Sequence, residues 1–442
     1  MGPRQRRRPR TESEGEAGVK RIIDALRGNS RVSDYKINLS AKESYECFYV
    51  KGKLETVRCT DVCDKVVTVY VDHDGFKGDS QFFVYPSTTE EELQQLIEKA
   101  AQKAAMLNNK MYTLPENEAG EYVVESNFSG YTLSELAGKI ADAVFEANTV
   151  DHADLNSVEV FVNRRTDTVV NSRGIHKTQV RYDAMVEAIP TYNGEAESVE
   201  LYQQYNFSDF CADTVRKEIA QKLQEVAARA KAVKPDFAMD CKVILNKQEL
   251  SEMFGSITHD LHFSTVYSHA GLFHKGDDIQ LSPTGDKITI TMAGSLPGNI
   301  RSACFDGDGM KLQATRIVEE GKAVAYYGDN RFGQYLGEVP TGSLRCVQVA
   351  CGTACPKCLT AAPYLEVLSM SGLQVDFYND YIGGEIRLAY YCDGEKIIPV
   401  TGISITGSLK QVLSSIRLSC NSAVYDGYCG PEKAILQDMK IF

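Results

Sequence analysis

Four of the chain's seven histidines lie within sixteen residues of one another. They are His259, His262, His269 and His274. Imidazole is a common zinc ligand, so this segment is the first place to look for a metal site. The segment contains neither H-E-x-x-H nor H-E-x-x-x-H, the spacings that place two histidines and a glutamate on one helical face. It is therefore a metal site of another kind, a degenerate one, or a histidine-rich surface.

His259 and His262 are the best-spaced pair, because residues three apart on a helix can share one metal ion. Asp260 and Glu252 are acidic side chains nearby. A zinc enzyme also needs a positioned base and an open coordination position, and no glutamate follows either histidine. The pattern favours solvated polar residues, so we assign no catalytic residue and no metal ligand. A metal site on His259 and His262 remains the alternative.

Three of the thirteen cysteines form a second candidate site: Cys351, Cys355 and Cys358, in C-G-T-A-C-P-K-C. Their spacing is that of radical-SAM iron–sulfur ligands, but such motifs follow the first strand of a barrel and this one lies late in the chain. Without a readable export signal, scattered cysteines are typical of reduced thiols in a cytoplasmic protein. The sequence favours plain thiols here and leaves a local zinc site open.

Other catalytic or phosphate-binding motifs are weak or absent. Residues 305–310, F-D-G-D-G-M, begin like a calcium loop but lack its third acidic position and its terminal glutamate, so they predict a tight turn. N-S-R-G at residues 171–174 also indicates a turn. The sequence has no P-loop, no G-x-G-x-x-G between a strand and a helix, and no G-x-S-x-G.

Length and composition limit the class of protein. A chain of 442 residues with 43% hydrophobic and 24% charged residues is typical of two or three globular domains. No apolar run approaches eighteen residues, which argues against a membrane span. The net charge of -12 disfavours nucleic acid as the main partner. Five arginines among the first ten residues predict a disordered basic arm, residues 1–13.

Residues 14–234 are predicted to form an α+β domain built from a repeated unit. A helix from Glu14, strands at 45–50, 54–59, 65–71 and 81–85, and a helix after Pro86 form the first copy. A helix at 132–148, strands at 158–163, 168–171 and 179–183, and a helix at 208–233 form the second. S-Y-E-C-F-Y from Ser44 aligns with S-V-E-V-F-V from Ser157. The sequence therefore predicts a duplicated helix–sheet–helix unit.

Residues 235–442 are predicted to form a β-rich C-terminal domain after the linker K-P-D at 234–236. A strand at 241–245 precedes a helix with one apolar face. That face carries Leu250, Met253, Phe254, Ile257 and Leu261. His259 lies opposite it. Most of the remaining sequence alternates as strands do, with a short helix at 409–416.

Four segments in register resemble the TldD/PmbA family, and its PmbA/TldE-like branch in particular. They are V-V-N-S-R-G-I ending at Ile175, V-I-L-N-K-Q-E-L-S-E-M-F-G-S-I-T from Val243, F-D-G-D-G-M-K-L-Q from Phe305, and I-P-V-T-G-I-S-I-T-G-S-L from Ile398. The resemblance covers residues 40–442. It implies a two-domain α+β fold, and it relates the chain to proteins first named modulators of DNA gyrase.

The resemblance also implies a function. The family forms cytosolic heterodimers that act as zinc metallopeptidases on small or unfolded polypeptides, in peptide maturation and proteolysis. Its zinc helix, H-E-x-x-x-H, belongs to the TldD-like partner and follows the strand that matches residues 243–245. Here that helix reads G-S-I-T-H-D at residues 255–260. We therefore expect a non-catalytic subunit without its own zinc, which helps to hold the peptide through exposed strand edges. The open alternatives are a divergent metallopeptidase and a scaffold protein without a protease partner.

Overall fold

An eight-stranded sheet organises the first half of the chain, as seen in a computed structural model that describes residues 12–194 and 198–442. Its strands run in the order β3-β2-β1-β5-β6-β4, with β7 and β8 also paired to β6. They are β1 (Asp34–Val50), β2 (Lys53–His73), β3 (Phe76–Phe83), β4 (Ala119–Val123), β5 (Ala153–Asn171), β6 (His176–Tyr192), β7 (Val199–Glu200) and β8 (Gln203–Phe207).

Four α-helices accompany this sheet. They are α1 (Glu12–Arg27), α2 (Glu90–Ala104), α3 (Leu133–Glu146) and α4 (Ala212–Lys231), with a short 3-10 helix at Asn127–Gly130. The two helices α2 and α3 begin with capping boxes, in which Thr89 pairs with Glu92 and Thr132 with Glu135. Of the predicted basic arm, residues 1–11 lie outside the described residues, and residues 12 and 13 belong to α1.

The sheet has the predicted internal repeat. In each half a helix is followed by three principal strands and another helix, and the halves join where β1 runs antiparallel to β5. Cys47 and Val160, which the sequence alignment matches, lie directly opposite each other in that pair. Two equivalent residues facing each other mark the position of a local two-fold axis through the sheet. The duplication is thus visible in the strand register.

Several strands are longer than predicted: β1 begins at Asp34, β5 joins the strands predicted at 158–163 and 168–171, and β2 also joins two predicted strands. The sequence divided β2 into strands at 54–59 and 65–71, whereas it runs unbroken from Lys53 to His73 and pairs with β1 throughout. The intervening T-D-V-C-D is polar because it lies in the exposed part of a long hairpin. Since β3 pairs with β2 only from Val66 onward, none of the described strands pairs with the outer edge of β2 from Leu54 to Val62, and we call this stretch the open edge.

The second half of the chain contains two sheets and five short helices. A six-stranded sheet has the order β12-β11-β10-β13-β21-β20, and a nine-stranded sheet has the order β19-β22-β9-β14-β16-β18-β23 with β15 and β17 also on β16. The elements, in chain order, are β9 (Lys242–Asn246), α5 (Lys247–Asp260), α6 (Phe263–Tyr267), β10 (Ile290–Ala293), β11 (Thr315–Glu319), β12 (Lys322–Ala323), α7 (Asn330–Leu336), β13 (Cys346–Val349), α8 (Pro356–Leu359), β14 (Tyr364–Met370), β15 (Gln374–Asp376), β16 (Tyr381–Cys392), β17 (Ile397–Val400), β18 (Ile403–Ser408), α9 (Leu409–Ser415), β19 (Arg417–Leu418), β20 (Ser422–Tyr425), β21 (Tyr428–Pro431), β22 (Lys433–Leu436) and β23 (Lys440–Ile441).

Helix α5 lies in the core of this second half. All five residues of its predicted apolar face, Leu250, Met253, Phe254, Ile257 and Leu261, are fully buried. The ring of Phe254 stacks on that of Tyr428, with 6.2 Å between centroids. Burying five large side chains stabilises this position by several kcal/mol, at about 1.5–3 kcal/mol each. The helix is therefore a principal packing element between the strands.

The predicted α+β class is confirmed, because helices and strands both contribute to each half of the chain. The proposed domain boundary between residues 234 and 235 stays a prediction. Among the helices that the structure describes, none combines the length and apolar character that crossing a membrane requires.

Candidate functional site

A cleft of about 820 Å³ lies between the first sheet and loops of the C-terminal half. Strands β1, β5, β6 and β8 contribute one wall, and segments 300–312, 343–345 and residue 426 contribute the other. This volume is within the range of ligand pockets, roughly 300–1,000 Å³. At the rim the Asn206 amide donates to Asp426 at 2.9 Å, which ties the two walls together.

Most charges of the sheet wall are neutralised in ion pairs, whereas Lys42 of β1 makes no ion pair within the described residues. Arg165 Nε donates to Asp183 at 2.5 Å, and Arg181 donates to Asp167 at 2.6 Å, each across the β5–β6 pair. The hydrogen bond that Arg165 donates to Asp183, opposed by burial, raises the pKa of Arg165. Asn163 donates to the same Asp183 at 2.6 Å. These pairs fix the wall as a rigid polar surface rather than as free charges.

The loop wall carries two exposed cations, Arg301 and Arg345. Within the described residues neither makes an ion pair with a carboxylate, in contrast to the arginines of the sheet wall. Sequence reasoning missed both residues because isolated arginines in loops have no motif spacing. Both are available to bind a carboxylate or the backbone carbonyl groups of a ligand in the cleft.

The F-D-G-D-G loop joins the two halves of the molecule at the cleft. Asp308 pairs with Lys36 of β1. Asn38 donates to the carbonyl of Gly307 and Lys177 to that of Gly309, both at 2.8 Å. The predicted tight turn is therefore present, and its role in the structure is to anchor the loop wall to the first sheet.

Asp306 holds this loop in shape and is not free to bind calcium. Its carboxylate is buried and accepts the backbone N–H groups of Asp308, Met310 and Ser343 at 2.9–3.0 Å. Burial, with the neighbouring Asp308 charge, raises the pKa of Asp306. Gly309 has φ +80°, and a Cβ there would lie 2.6 Å from Ile175, so the turn requires glycine.

The histidines are separated in space and in role. His259 is exposed on the last turn of α5, and His269 and His274 are exposed beyond α6. His262 caps α6, with its Nδ1 2.8 Å from Ser264 Oγ and its ring edge-on to Tyr327. Burial and the nearby His259 lower the pKa of His262, although Asp329 opposes that shift. None of the four lines the cleft.

The acidic residues beside the histidines are bound to backbone groups. Asp260 is buried and accepts the N–H groups of Leu272 and Phe273 at 2.6–3.0 Å. Glu252 accepts the N–H of Leu373 at 3.0 Å. Across the part of the chain that the structure describes, no three His, Cys, Asp or Glu side chains come together as metal ligands. The donor set around His259 therefore does not fit a zinc ion, which needs four ligands or three and a water.

Glu249 is a buried acid that the sequence reasoning did not identify. It lies in the first turn of α5, is 2% exposed, and its Oε2 has no hydrogen-bond partner. Burial raises the pKa of Glu249 to about 7. Sequence reasoning could not single out Glu249, because a glutamate in the first turn of a helix is common. It lies on α5 but away from the cleft, so it is a structural feature with a measurable pH dependence.

The cysteine segment is only partly assembled. Cys355 Sγ lies 3.1 Å from Cys358 Sγ. Cys351 is elsewhere: after burial, the neighbours that raise its pKa are Cys429 and Cys420. The structure thus brings together two of the three cysteines that the sequence singled out.

Comparisons with known proteins agree with this architecture. Residues 238–441 match the family model of the PmbA/TldA metallopeptidase C-terminal domain. No curated protein sequence matches the chain. The fold is similar to that of TldE from Thermococcus kodakarensis, with 14% identity, a TM-score of 0.77, and coverage of 95% of this chain and 99% of that one.

Two further solved structures have the same fold. One is a suggested modulator of DNA gyrase from Bacteroides thetaiotaomicron, with 15% identity, a TM-score of 0.77, and coverage of 98% and 99%. The other is its counterpart from Thermotoga maritima, with 13% identity, a TM-score of 0.73, and coverage of 97% and 100%. The C-terminal part of the chain thus matches a PmbA/TldA domain model, and nearly the whole chain shares the fold of these solved structures.

Proposed function

We propose that this chain is a PmbA/TldE-like, non-catalytic subunit of a cytoplasmic metallopeptidase, in which a TldD-like H-E-x-x-x-H partner supplies the zinc. The observation that carries the proposal is how the side chains of residues 255–260 are engaged. This is the segment that the resemblance aligns with the partner's zinc helix. Apart from the exposed His259, its side chains are committed to packing and to backbone hydrogen bonds.

The chemistry of that segment supports the proposal residue by residue. Ile257 and Thr258 are buried, and the Thr258 hydroxyl donates to the Gly255 carbonyl at 2.9 Å. Asp260 is saturated by two backbone N–H groups, and His259 is left alone on the surface. A single exposed imidazole cannot hold zinc in the open three-ligand geometry that catalysis needs.

The cleft is the proposed contribution of this subunit to substrate binding. An extended, unfolded peptide exposes N–H and C=O groups along its length, and each needs a partner. The sheet wall offers amides such as Asn38, Asn163 and Gln204, and the loop wall offers Arg301 and Arg345. A folded protein does not enter a space of this size, so such a cleft selects small or unfolded polypeptides.

The open edge of β2 is a second surface for an extended chain, as the expectation of strand-edge binding requires. We favour the cleft because it combines partners for the peptide backbone with unpaired cations. Binding of an end-labelled peptide to variants of the cleft and to variants of the β2 edge would show which of the two surfaces holds the peptide.

The test compares the purified chain alone with the chain co-expressed with an H-E-x-x-x-H protein of the same family. The chain alone is expected to leave casein and unstructured peptides intact, and the complex to cleave them in a chelator-sensitive way. Elemental analysis should find zinc in the complex but not in the isolated chain. Chelator-sensitive cleavage by the isolated chain, with zinc that disappears in a His259→Ala/His262→Ala variant, would instead establish a divergent metallopeptidase. A complex that fails to form would favour a scaffold protein.

A further inference from the structure

We infer that Cys355 and Cys358 form a redox-active dithiol, which closes to an intramolecular disulfide by exchange with a low-molecular-weight disulfide such as oxidised glutathione. The inference rests on the geometry of the C-P-K-C segment and does not depend on the proposed peptidase role. The segment lies outside the cleft and outside the histidine region.

One turn of helix brings the two cysteines together. Cys355 is the N-cap of α8, and the N–H of Cys358 donates to the Cys355 carbonyl at 2.9 Å. Pro356 occupies the first helical position, where its fixed φ favours the turn. Residues three apart in such a turn lie on the same face, so their side chains can meet. The two Sγ atoms are already 3.1 Å apart.

The backbone beneath the pair is held in place while the sulfur atoms stay accessible. Leu359 and Ala354 pack with Ile244 of β9 in a small apolar cluster. Lys242 Nζ donates to the carbonyl of Cys358 at 2.6 Å. Cys358 itself is exposed and Cys355 is partly exposed. A fixed backbone with accessible thiols is the arrangement that exchange needs, because the attacking thiolate must approach one sulfur of the incoming disulfide in line with its S–S bond.

The local environment makes Cys355 the attacking group. Hydrogen bonds from the Cys358 thiol and from backbone N–H groups lower the pKa of Cys355, which increases its thiolate fraction. The Cys355 thiolate attacks one sulfur of the glutathione disulfide, forms a mixed disulfide and releases one glutathione thiolate. Cys358 then loses its proton and attacks the Cys355 sulfur, which releases the second glutathione. Two protein thiols are oxidised and one glutathione disulfide is reduced.

The chain offers two matched controls. Cys351 is an exposed cysteine four residues away in the same loop. Cys211, the N-cap of α4, is an exposed cysteine whose pKa is lowered by Thr214, but it lies in the N-terminal half. Cys211 thus resembles Cys355 in accessibility and thiolate character, and Cys351 resembles it in loop position. The Cys355–Cys358 pair adds a second thiol in contact.

The test incubates the reduced full-length chain with oxidised glutathione, blocks the remaining thiols, digests with trypsin and uses mass spectrometry. Trypsin cuts after Lys357, between the two cysteines, so a disulfide joins two peptides that otherwise separate. The wild-type and Cys351→Ser proteins should give the joined pair, and Cys355→Ser should not. Cys358→Ser should trap glutathione on Cys355 at least about tenfold more than the wild type, because intramolecular closure is lost. Cys211 should carry glutathione without a crosslink.

Three results would overturn the inference. Glutathione on both Cys355 and Cys358 of the wild type, without a crosslink, would mean that the pair cannot close. A crosslink that survives in Cys355→Ser but is lost in Cys351→Ser would assign the disulfide to a different pair. Stoichiometric zinc, lost equally in the Cys351→Ser and Cys355→Ser variants, would make the loop a metal site.

Discussion

The histidine segment and the cleft differ in how their polar groups are used. In the segment 259–274 three of the four histidines are exposed, His262 caps α6, and the acids beside them bind backbone N–H groups. In the cleft, polar residues far apart in the chain converge on one space and leave Arg301 and Arg345 unpaired among the described residues. Ligand-type residues close together in sequence made no site, whereas scattered ordinary residues did. Convergence in the fold, and not density along the chain, is what creates a candidate site.

The largest effect that we predict concerns α5 as a structural element. Phe254→Ala should lower the free energy of unfolding by about 3–5 kcal/mol, because it empties a fully buried, stacked position. His259→Ala on the same helix should change it by less than about 0.5 kcal/mol. Urea denaturation measures both, with the exposed Phe83→Ala as the size-matched control. Comparable losses for His259→Ala and Phe254→Ala would contradict this description of the helix.

The next prediction uses the buried acid of α5. The pKa of Glu249 is about 7 when folded and about 4.5 ordinarily, so the folded state holds its proton more tightly. Stability should therefore fall as the pH rises from about 4.5 to about 7, by about 3 kcal/mol in all, and change little from this group outside that window. Glu249→Gln should abolish that portion of the pH dependence and be the more stable protein at about pH 8. Parallel stability curves for the two proteins would refute the assignment.

The third prediction concerns the loop that anchors the cleft. Asp306→Asn should cost about 1–3 kcal/mol, because an amide cannot accept all three of the backbone N–H groups that the carboxylate satisfies. Calcium should not raise the melting temperature of the wild-type protein, since the same oxygens are already occupied. Gly307→Ala, at an open position in the same loop, is the control that should change little. Stabilisation by calcium that Asp306→Asn removes would show the loop to be a cation site.

The smallest effect expected is on binding alone. Replacing both Arg301 and Arg345 with alanine should weaken binding of an unstructured peptide about tenfold, which corresponds to about 1.4 kcal/mol. Stability should change by less than about 0.5 kcal/mol, because both side chains are exposed. Fluorescence anisotropy measures the binding, and the exposed Arg417→Ala, outside the cleft, serves as the control. Unchanged affinity in the double variant would show that these arginines of the cleft do not bind the peptide.

Much of the fold was readable from the sequence because periodic patterns are local. The apolar face of α5, the repeated unit and the turn at residues 305–310 all follow from spacing and side-chain size. The continuous β2 was missed because its middle is polar on both faces and is held only by pairing with β1. In parts of β2 the pairing partner is more than twenty residues away along the chain, so local alternation of polar and apolar residues does not predict the pairing.

The candidate site was much less predictable. Its charged pairs join residues such as Lys36 and Asp308, which are far apart in the chain. Residues 305–310 begin like a calcium loop, but the sequence does not reveal that the Asp306 oxygens accept three backbone N–H groups. Only the three-dimensional structure reveals which polar groups already have partners. The same limit explains why Cys355 and Cys358, unlike Cys351, emerge as a pair.

The central claim is that this chain binds but does not cleave, and reciprocal substitutions in the assembled complex test it most directly. Cleavage of an unstructured peptide would be measured with Glu→Gln in the partner's H-E-x-x-x-H motif, and separately with His259→Ala/His262→Ala in this chain. The account predicts that the partner's substitution abolishes cleavage and that the two histidine substitutions leave its rate within about twofold. Loss of cleavage on replacing His259 and His262, with the complex intact, would contradict it.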